Sequence, residues 1–304
     1  MKRLFFILLL FAGIETFAQQ EPQFTQFMFV SQTFNPGYVG AHDSLINTTA
    51  MYRNQWVGFP GNPVTFLYTA DSPIKKLHGG AGLKFMDDKL GNFHFDRLGL
   101  SYAWHKQIKK TGLLVIGMEA DVVYTTVAFN WLAPDGTNGA SDPAIPDKAV
   151  SGFSGNLAIG AYFRNDHCSV GLSSTQLLTV SYLRSEQFNY RPARHYYLTA
   201  GYNIYFGSRG KLVPSVLVKS DAAISTFDLN LTSYWNKWLW TGVSYRLQDA
   251  VAFMAGFQIK TGKAASIKLG YAYDLGTSDL KMFHDNTHEV FLNYRMSLKR
   301  GGGG

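Results

Sequence analysis

Three aspartates, Asp135, Asp142 and Asp147, fall in one stretch of the chain among Pro134, Gly136, Gly139, Pro143 and Pro146. Grouped carboxylates are what calcium takes as ligands, but this spacing fits no EF-hand-like frame, and Asp beside Gly and Pro is ordinary turn chemistry. His167 and Cys168 adjoin one another, yet Cys168 is the only cysteine, so neither a zinc frame nor an internal disulfide can be completed from it. His288-Glu289 is not followed by a second histidine at the zinc-protease spacing. The chain contains neither Gly-x-Ser-x-Gly nor a phosphate-cradling Gly-x-x-x-x-Gly-Lys. The sequence therefore predicts a protein that is not an enzyme and that holds no metal or cofactor.

A second set of polar residues is spread along the chain at a regular phase. Lys84, His105, Glu119, Asp121, Arg164, Asp228, Arg246, Lys260 and Lys268 fall on the inner faces of runs of period two. In one such run Ala265, Ile267, Leu269, Tyr271 and Tyr273 share a face, opposed by Ser266, Lys268, Gly270 and Ala272. Val251, Phe253, Ala255, Phe257 and Ile259 oppose Ala252, Gly256, Gln258 and Lys260 in the same way. Facing lipid, an Arg or Lys would cost about 2–4 kcal/mol at mid-depth, so these residues are expected to line a lumen while the greasy face meets the membrane.

Composition agrees with such a wall. Only 16% of the 304 residues are charged, 15% are aromatic, 30 are Gly, and the formal charge is +7. Disorder and a disulfide scaffold are excluded, and no Arg-rich stripe suggests nucleic acid. Past the first 18 residues no apolar run is long enough for a spanning helix. Residues 1–18 have the layout of a signal peptide: Lys2-Arg3, an apolar core from Leu4 to Ala12, and a small-residue exit at Thr16-Phe17-Ala18.

Counting runs gives about fourteen antiparallel strands, near 46–55, 62–71, 78–87, 94–106, 112–126, 152–164, 167–176, 194–206, 211–220, 225–234, 237–247, 250–260, 264–274 and 287–298. The connections alternate between tight turns, as at 107–110, 164–167 and 260–263, and a set that holds the long insertions 127–151, 177–193 and 275–286. This is the phase of an all-β outer-membrane transmembrane β-barrel with short periplasmic turns, long extracellular loops and both termini periplasmic. Trp235, Trp238 and Trp240 are expected at the membrane interface as part of an aromatic girdle. The division is thus 1–18 signal peptide, 19–45 N-terminal periplasmic or plug-like segment, 46–298 barrel and 299–304 tail, ending in a linker-like Gly301–Gly304. Within 19–45, Phe24, Phe27 and Met28 are spaced for a turn or two of helix, which Asn35-Pro36-Gly37 breaks.

Several short blocks, in order, give the chain a resemblance to a known family. They are Pro22-Gln23-Phe24-Thr25-Gln26-Phe27-Met28-Phe29, Asn35-Pro36-Gly37-Tyr38-Val39-Gly40, Tyr52-Arg53-Asn54-Gln55-Trp56-Val57-Gly58-Phe59, Asp87-Asp88-Lys89-Leu90-Gly91 and His288-Glu289-Val290. Together they resemble the type IX secretion system membrane proteins of the PorP/SprF family of Bacteroidota, over nearly the whole chain. The resemblance implies an outer-membrane component of the secretion and gliding apparatus. It further implies that the protein binds and helps export or anchor a large cell-surface protein with a type B C-terminal domain, and that it contacts periplasmic ring or peptidoglycan-binding components. Besides outer-membrane lipid, those are the partners expected, with no nucleic acid among them. Residues expected to meet a partner are Phe24, Phe27, Met28, Tyr52, Arg53, Asn54, Gln55 and Trp56. A channel for small solutes is the alternative, favoured if the inner-face charges form an open constriction.

Overall fold

A computed structural model of the chain describes residues 21–42, 46–128, 148–178, 180–181, 183–184, 189–207, 210–236, 238–261, 264–278 and 285–297. The expected signal peptide, Asp135, Asp142, Asp147 and the glycine tail lie outside these residues.

Strands β1 (Ile46–Asn54), β2 (Val64–Ile74), β3 (Gly79–Leu90), β4 (Phe93–Ile108), β5 (Gly112–Val127), β6 (Val150–Arg164) and β7 (Cys168–Thr175) pair in succession, all antiparallel. A small separate ribbon, β8 (Leu183–Arg184) with β9 (Asn189–Tyr190), precedes β10 (His195–Tyr202). The wall continues through β11 (Ile204–Phe206), β12 (Gly210–Ser220), β13 (Ser225–Trp235), β14 (Leu239–Arg246), β15 (Ala250–Thr261), β16 (Ala265–Gly276) and β17 (Thr287–Met296). Two pairings close it: β1 with β17, from Ile46 opposite Met296 to Asn54 opposite His288, and β10 with both β7 and β12. β10 and β11 are one passage interrupted at Asn203, so the fifteen-stranded sheet makes fourteen passages. Closure leaves no unpaired sheet edge, which a wall in lipid cannot tolerate.

The period-two pattern sorts side chains as the sequence predicts. On β5, Ile116, Met118 and Val122 point outward and are exposed, while Val115, Glu119, Asp121 and Val123 point inward and are buried. On β15 and β16, Phe253, Phe257, Ile259, Leu269 and Tyr271 face out, and Lys268 faces in. Six tight connections, 75–78, 109–111, 165–167, 207–209, 236–238 and 262–264, gather at one mouth with the strand ends Ile46 and Met296. The connections at the other mouth include all three long ones, 128–149, 176–194 and 277–286, together with 55–63.

Three expectations change. Trp235 and Trp238 face outward, 46% and 51% exposed, but Trp240 is completely buried inside the barrel against Phe29 and Phe291. Its indole fits because Gly256 and Gly270 face each other across β15 and β16, where any Cβ would come within about 2.5 Å of the ring. Residues 27–38 form three single 3-10 turns, Phe27–Phe29, Ser31–Thr33 and Pro36–Tyr38, rather than a helix. Asn35 starts the last of these: its side-chain oxygen accepts the N–H of Gly37 at 2.7 Å, with Pro36 pre-set at the first position. Finally, the two ends of the described chain do not share a side. The strand ends do, but residues 21–42 run back through the lumen, so Glu21 lies at the mouth with the long connections while Ser297 lies at the other.

The 21–42 segment is the core of the barrel. Phe24, Phe27, Val30 and Phe34 are buried against inward residues of the wall, among them Met51, Leu67, Met86, Tyr197, Leu217 and Phe291. Its Asn35-Pro36 turn sits on the facing pair Gly117 and Gly160, where a Cβ would meet Pro36 O at 2.3 Å and Asn35 Oδ1 at 1.9 Å respectively. Gly160→Val should therefore leave the barrel closed, judged by heat-modifiable migration on gels, but unseat the segment. Protease resistance of residues 21–42 in the folded variant would refute this seat.

Candidate functional site: the lumen segment and its anchors

The lumen segment is held by polar anchors at successive depths, each built from one inward position of a strand. Nearest the long-connection mouth, the Glu21 carboxylate accepts from Arg97 Nη1 at 2.8 Å, from the Tyr197 hydroxyl at 3.1 Å and from the Gln176 amide, and Lys219 Nζ donates to the Glu21 carbonyl at 2.6 Å. Burial alone would push the Glu21 carboxyl up. The Arg97 and His195 charges and these hydrogen bonds outweigh it and hold the group well below the usual carboxylate range. A folded-state pKa below the unfolded one means this anchor stabilises fully above the ordinary carboxylate range and loosens on acidification below it.

The second anchor joins both ends of the barrel sequence. Arg53 on β1 donates through Nη1 to Glu289 Oε2 at 2.9 Å and through Nη2 to Asp274 Oδ2 at 3.0 Å. The segment completes the cluster: Thr25 Oγ1 donates to Asp274 Oδ2 at 2.6 Å, and the N–H groups of Thr25 and Gln26 donate to Glu289 at 3.0 and 2.8 Å. All three charged side chains are at most 3% exposed. Arg246 Nη1 lies 4.0 Å from Asp274 as well, and the two backbone N–H groups of the segment complete the solvation of the carboxylates. Deeper still, Gln32 Nε2 donates to Leu83 O at 3.3 Å, and Asn35 Nδ2 to Ala161 O at 3.0 Å and Leu172 O at 3.3 Å. At the tight-turn mouth Gly40 N donates to Asp71 Oδ2 at 2.7 Å, and His105 Nε2 lies 2.8 Å from Val39 O.

Two wall cations away from the segment, Lys84 and Arg246, are also matched. Lys84 is ion-paired with Glu119 and lies 3.5 Å from Asp121, and Arg246 pairs with Asp228 at 2.6 Å and Asp249 at 3.1 Å. Among the described residues the lumen holds a cavity of about 700 Å³ at the tight-turn mouth and one of about 470 Å³ at the other, with no lining residue in common. Asp87, His94 and Asp96 on the β3–β4 hairpin bring three metal-type ligand atoms within 4.8 Å of one another, partly exposed, with His94 already 2.7 Å from Asp87.

The residues expected to meet a partner divide by depth. Phe24, Phe27 and Arg53 are 1–3% exposed and hold the segment inside the barrel. Met28 packs on their cluster, and Tyr52 faces outward from the wall. Asn54, Gln55 and Trp56 lie at the long-connection mouth, tied by Asn62 to Asn54 and Gln55, by Trp56 N to Thr287 Oγ1 at 3.1 Å, and by Val57 to Asn286. Sequence reading missed Glu21, Arg97 and Asp274. Asp274 shares the parity of Lys268 on β16, so its inward direction was legible, but its partner, 221 residues from it in sequence, was not.

Removing one member of a buried ion cluster strands its partners without counter-charge. Arg53→Ala should lower the unfolding free energy by about 3–5 kcal/mol in urea titrations of the detergent-solubilised protein. An unchanged midpoint would mean the cluster is not what pins the segment.

Among solved structures, three outer-membrane transporters share the fold at low sequence identity. The CymD monoaromatic hydrocarbon channel superposes with a TM-score of 0.56 at 10% identity, covering 92% of this chain and 94% of its own. The Pseudomonas putida toluene transporter TodX gives 0.55 at 10% identity, covering 90% and 93%. The Ralstonia pickettii toluene transporter TbuX gives 0.54 at 8% identity, covering 88% and 93%. No curated relative matches the chain by sequence. Residues 16–294 match the family described as "Type IX secretion system membrane protein PorP/SprF", a span that includes every anchor of the lumen segment. This β-barrel therefore belongs to the PorP/SprF family and is an outer-membrane component of the type IX secretion system.

Proposed function

We propose that the protein works by binding other proteins at its two mouths, without catalysis and without conducting solutes. It binds and helps export or anchor a large cell-surface protein with a type B C-terminal domain on the extracellular side, and meets periplasmic ring or peptidoglycan-binding components on the other. The long-connection mouth, with Asn54, Gln55 and Trp56, is the extracellular one; the tight turns and the C-terminal strand end face the periplasm.

The observation that supports this reading best is the filled lumen. Segment 21–42 buries its aromatic side chains along the barrel interior and bonds to strands on all sides of it. A barrel so plugged has its accessible chemistry on the mouths and connecting loops, where partners dock. The solute-channel alternative draws on the hydrocarbon channels of similar fold, but likeness at 8–10% identity is a likeness of fold, and fold is a weak guide to function.

Affinity purification from native outer membranes in mild detergent, followed by mass spectrometry, should recover a large secreted protein together with periplasmic ring components. Planar-bilayer recordings of the purified barrel should show no steady conductance. Recovery of the barrel alone, with large steady conductance, would replace this reading with a solute channel.

A further inference from the structure

The cavity of about 700 Å³ at the tight-turn mouth has a charge pattern unlike the rest of the lumen. Among the described residues its wall carries Arg164, Lys211, Lys260, Lys268 and Arg295 and no carboxylate. Elsewhere inside the barrel Arg53, Lys84, Arg97 and Arg246 are each bonded to an Asp or Glu. Lys268 is the sharpest contrast. It is only 9% exposed and makes no hydrogen bond or ion pair among the described residues. Its Nζ rests over the faces of Phe29 and Tyr234, 4.7 and 5.3 Å from the ring centroids, and Lys211 Nζ lies 4.8 Å from the same Tyr234 ring. Ring faces attract an ammonium but do not replace a counter-charge, and two ammonium groups on one ring repel each other.

We propose that this cavity is a binding site for a small polyanion carrying phosphate or carboxylate groups, with Lys268 at its base and Lys211, Lys260, Arg164 and Arg295 around it. The volume lies within the ~300–1,000 Å³ of small-ligand pockets. An anion seated there supplies a counter-charge to Lys268. Phe27, Met28 and Phe29 of the lumen segment line the same space, so an occupant also touches the segment. The site stands independently of the secretion reading.

The test is thermal unfolding of the purified full chain in detergent, followed by tryptophan fluorescence, since the buried Trp240 lines the cavity. Sodium pyrophosphate and sodium citrate are compared with sodium chloride at matched ionic strength. At about 100 times its dissociation constant a bound anion should raise Tm by roughly 5–10 °C. A response to pyrophosphate alone assigns phosphate, and one to citrate alone assigns carboxylate. Lys268→Met should unfold at or above the wild-type temperature without anion, because it removes a buried ammonium that has no counter-ion, and should lose the anion-dependent rise. Should that variant fail to fold, Lys260→Gln, at the exposed rim, should weaken the response several-fold. A rise equal to that in chloride, a rise retained by folded Lys268→Met, or stabilisation by hexaglutamate peptide where neither small anion acts would overturn the proposal.

Discussion

Arg53 reaches from the first strand of the wall to carboxylates on two of the last, and the peptide N–H groups of Thr25 and Gln26 close the cluster from inside. The rest of the lumen depends on this meeting. An eight-stranded ring is just wide enough for its own inward side chains to fill, so fourteen passages leave space that the wall cannot pack by itself. Segment 21–42 fills it, and its polar backbone can be buried there only because inward wall residues are placed to bond it. The barrel and its filling are therefore one folding problem: β1 and β17 close the ring beside the residues that hold the segment.

Charge in this interior does two different things. Arg53, Lys84, Arg97 and Arg246 are matched within bonding distance, which gives position and rigidity but little net stability over an apolar packing of equal volume. Such clusters fix where the segment lies, because Thr25, Gln26 and Glu21 meet their partners on separate strands at once. The tight-turn cavity departs from this rule, since its cations lie in wall positions with no carboxylate opposite. Lys268, over the rings of Phe29 and Tyr234, thus stands apart from the ion-paired Arg53, Lys84, Arg97 and Arg246.

Likeness to hydrocarbon channels concerns the wall. A closed antiparallel wall with a greasy exterior is the solution lipid imposes on any spanning sheet, whatever passes through or sits inside it. What differs between proteins sharing that wall is the filling and the mouths, and here the family blocks of the sequence converge. Pro22–Phe29 contributes Thr25 and Gln26, Tyr52–Phe59 contributes Arg53, and His288–Val290 contributes Glu289, all to one buried cluster. Blocks far apart in the chain are thus parts of a single lock between wall and filling.

The strand count, the two faces of each strand and the alternation of tight and long connections were legible in the sequence. Each follows from a period of two and from turn residues, which act within a few positions of one another. The inward direction of Lys84, Glu119, Asp228 and Lys268 was legible for the same reason. Which of those charges pair, that Trp240 turns into the core on the Gly256–Gly270 floor, and that residues 21–42 thread the lumen to the opposite mouth were decided only in the tertiary structure. These depend on contacts between residues up to 264 positions apart, brought together by closure of the ring. Parity tells a side chain whether to face lipid or lumen; only the closed barrel determines what it finds there.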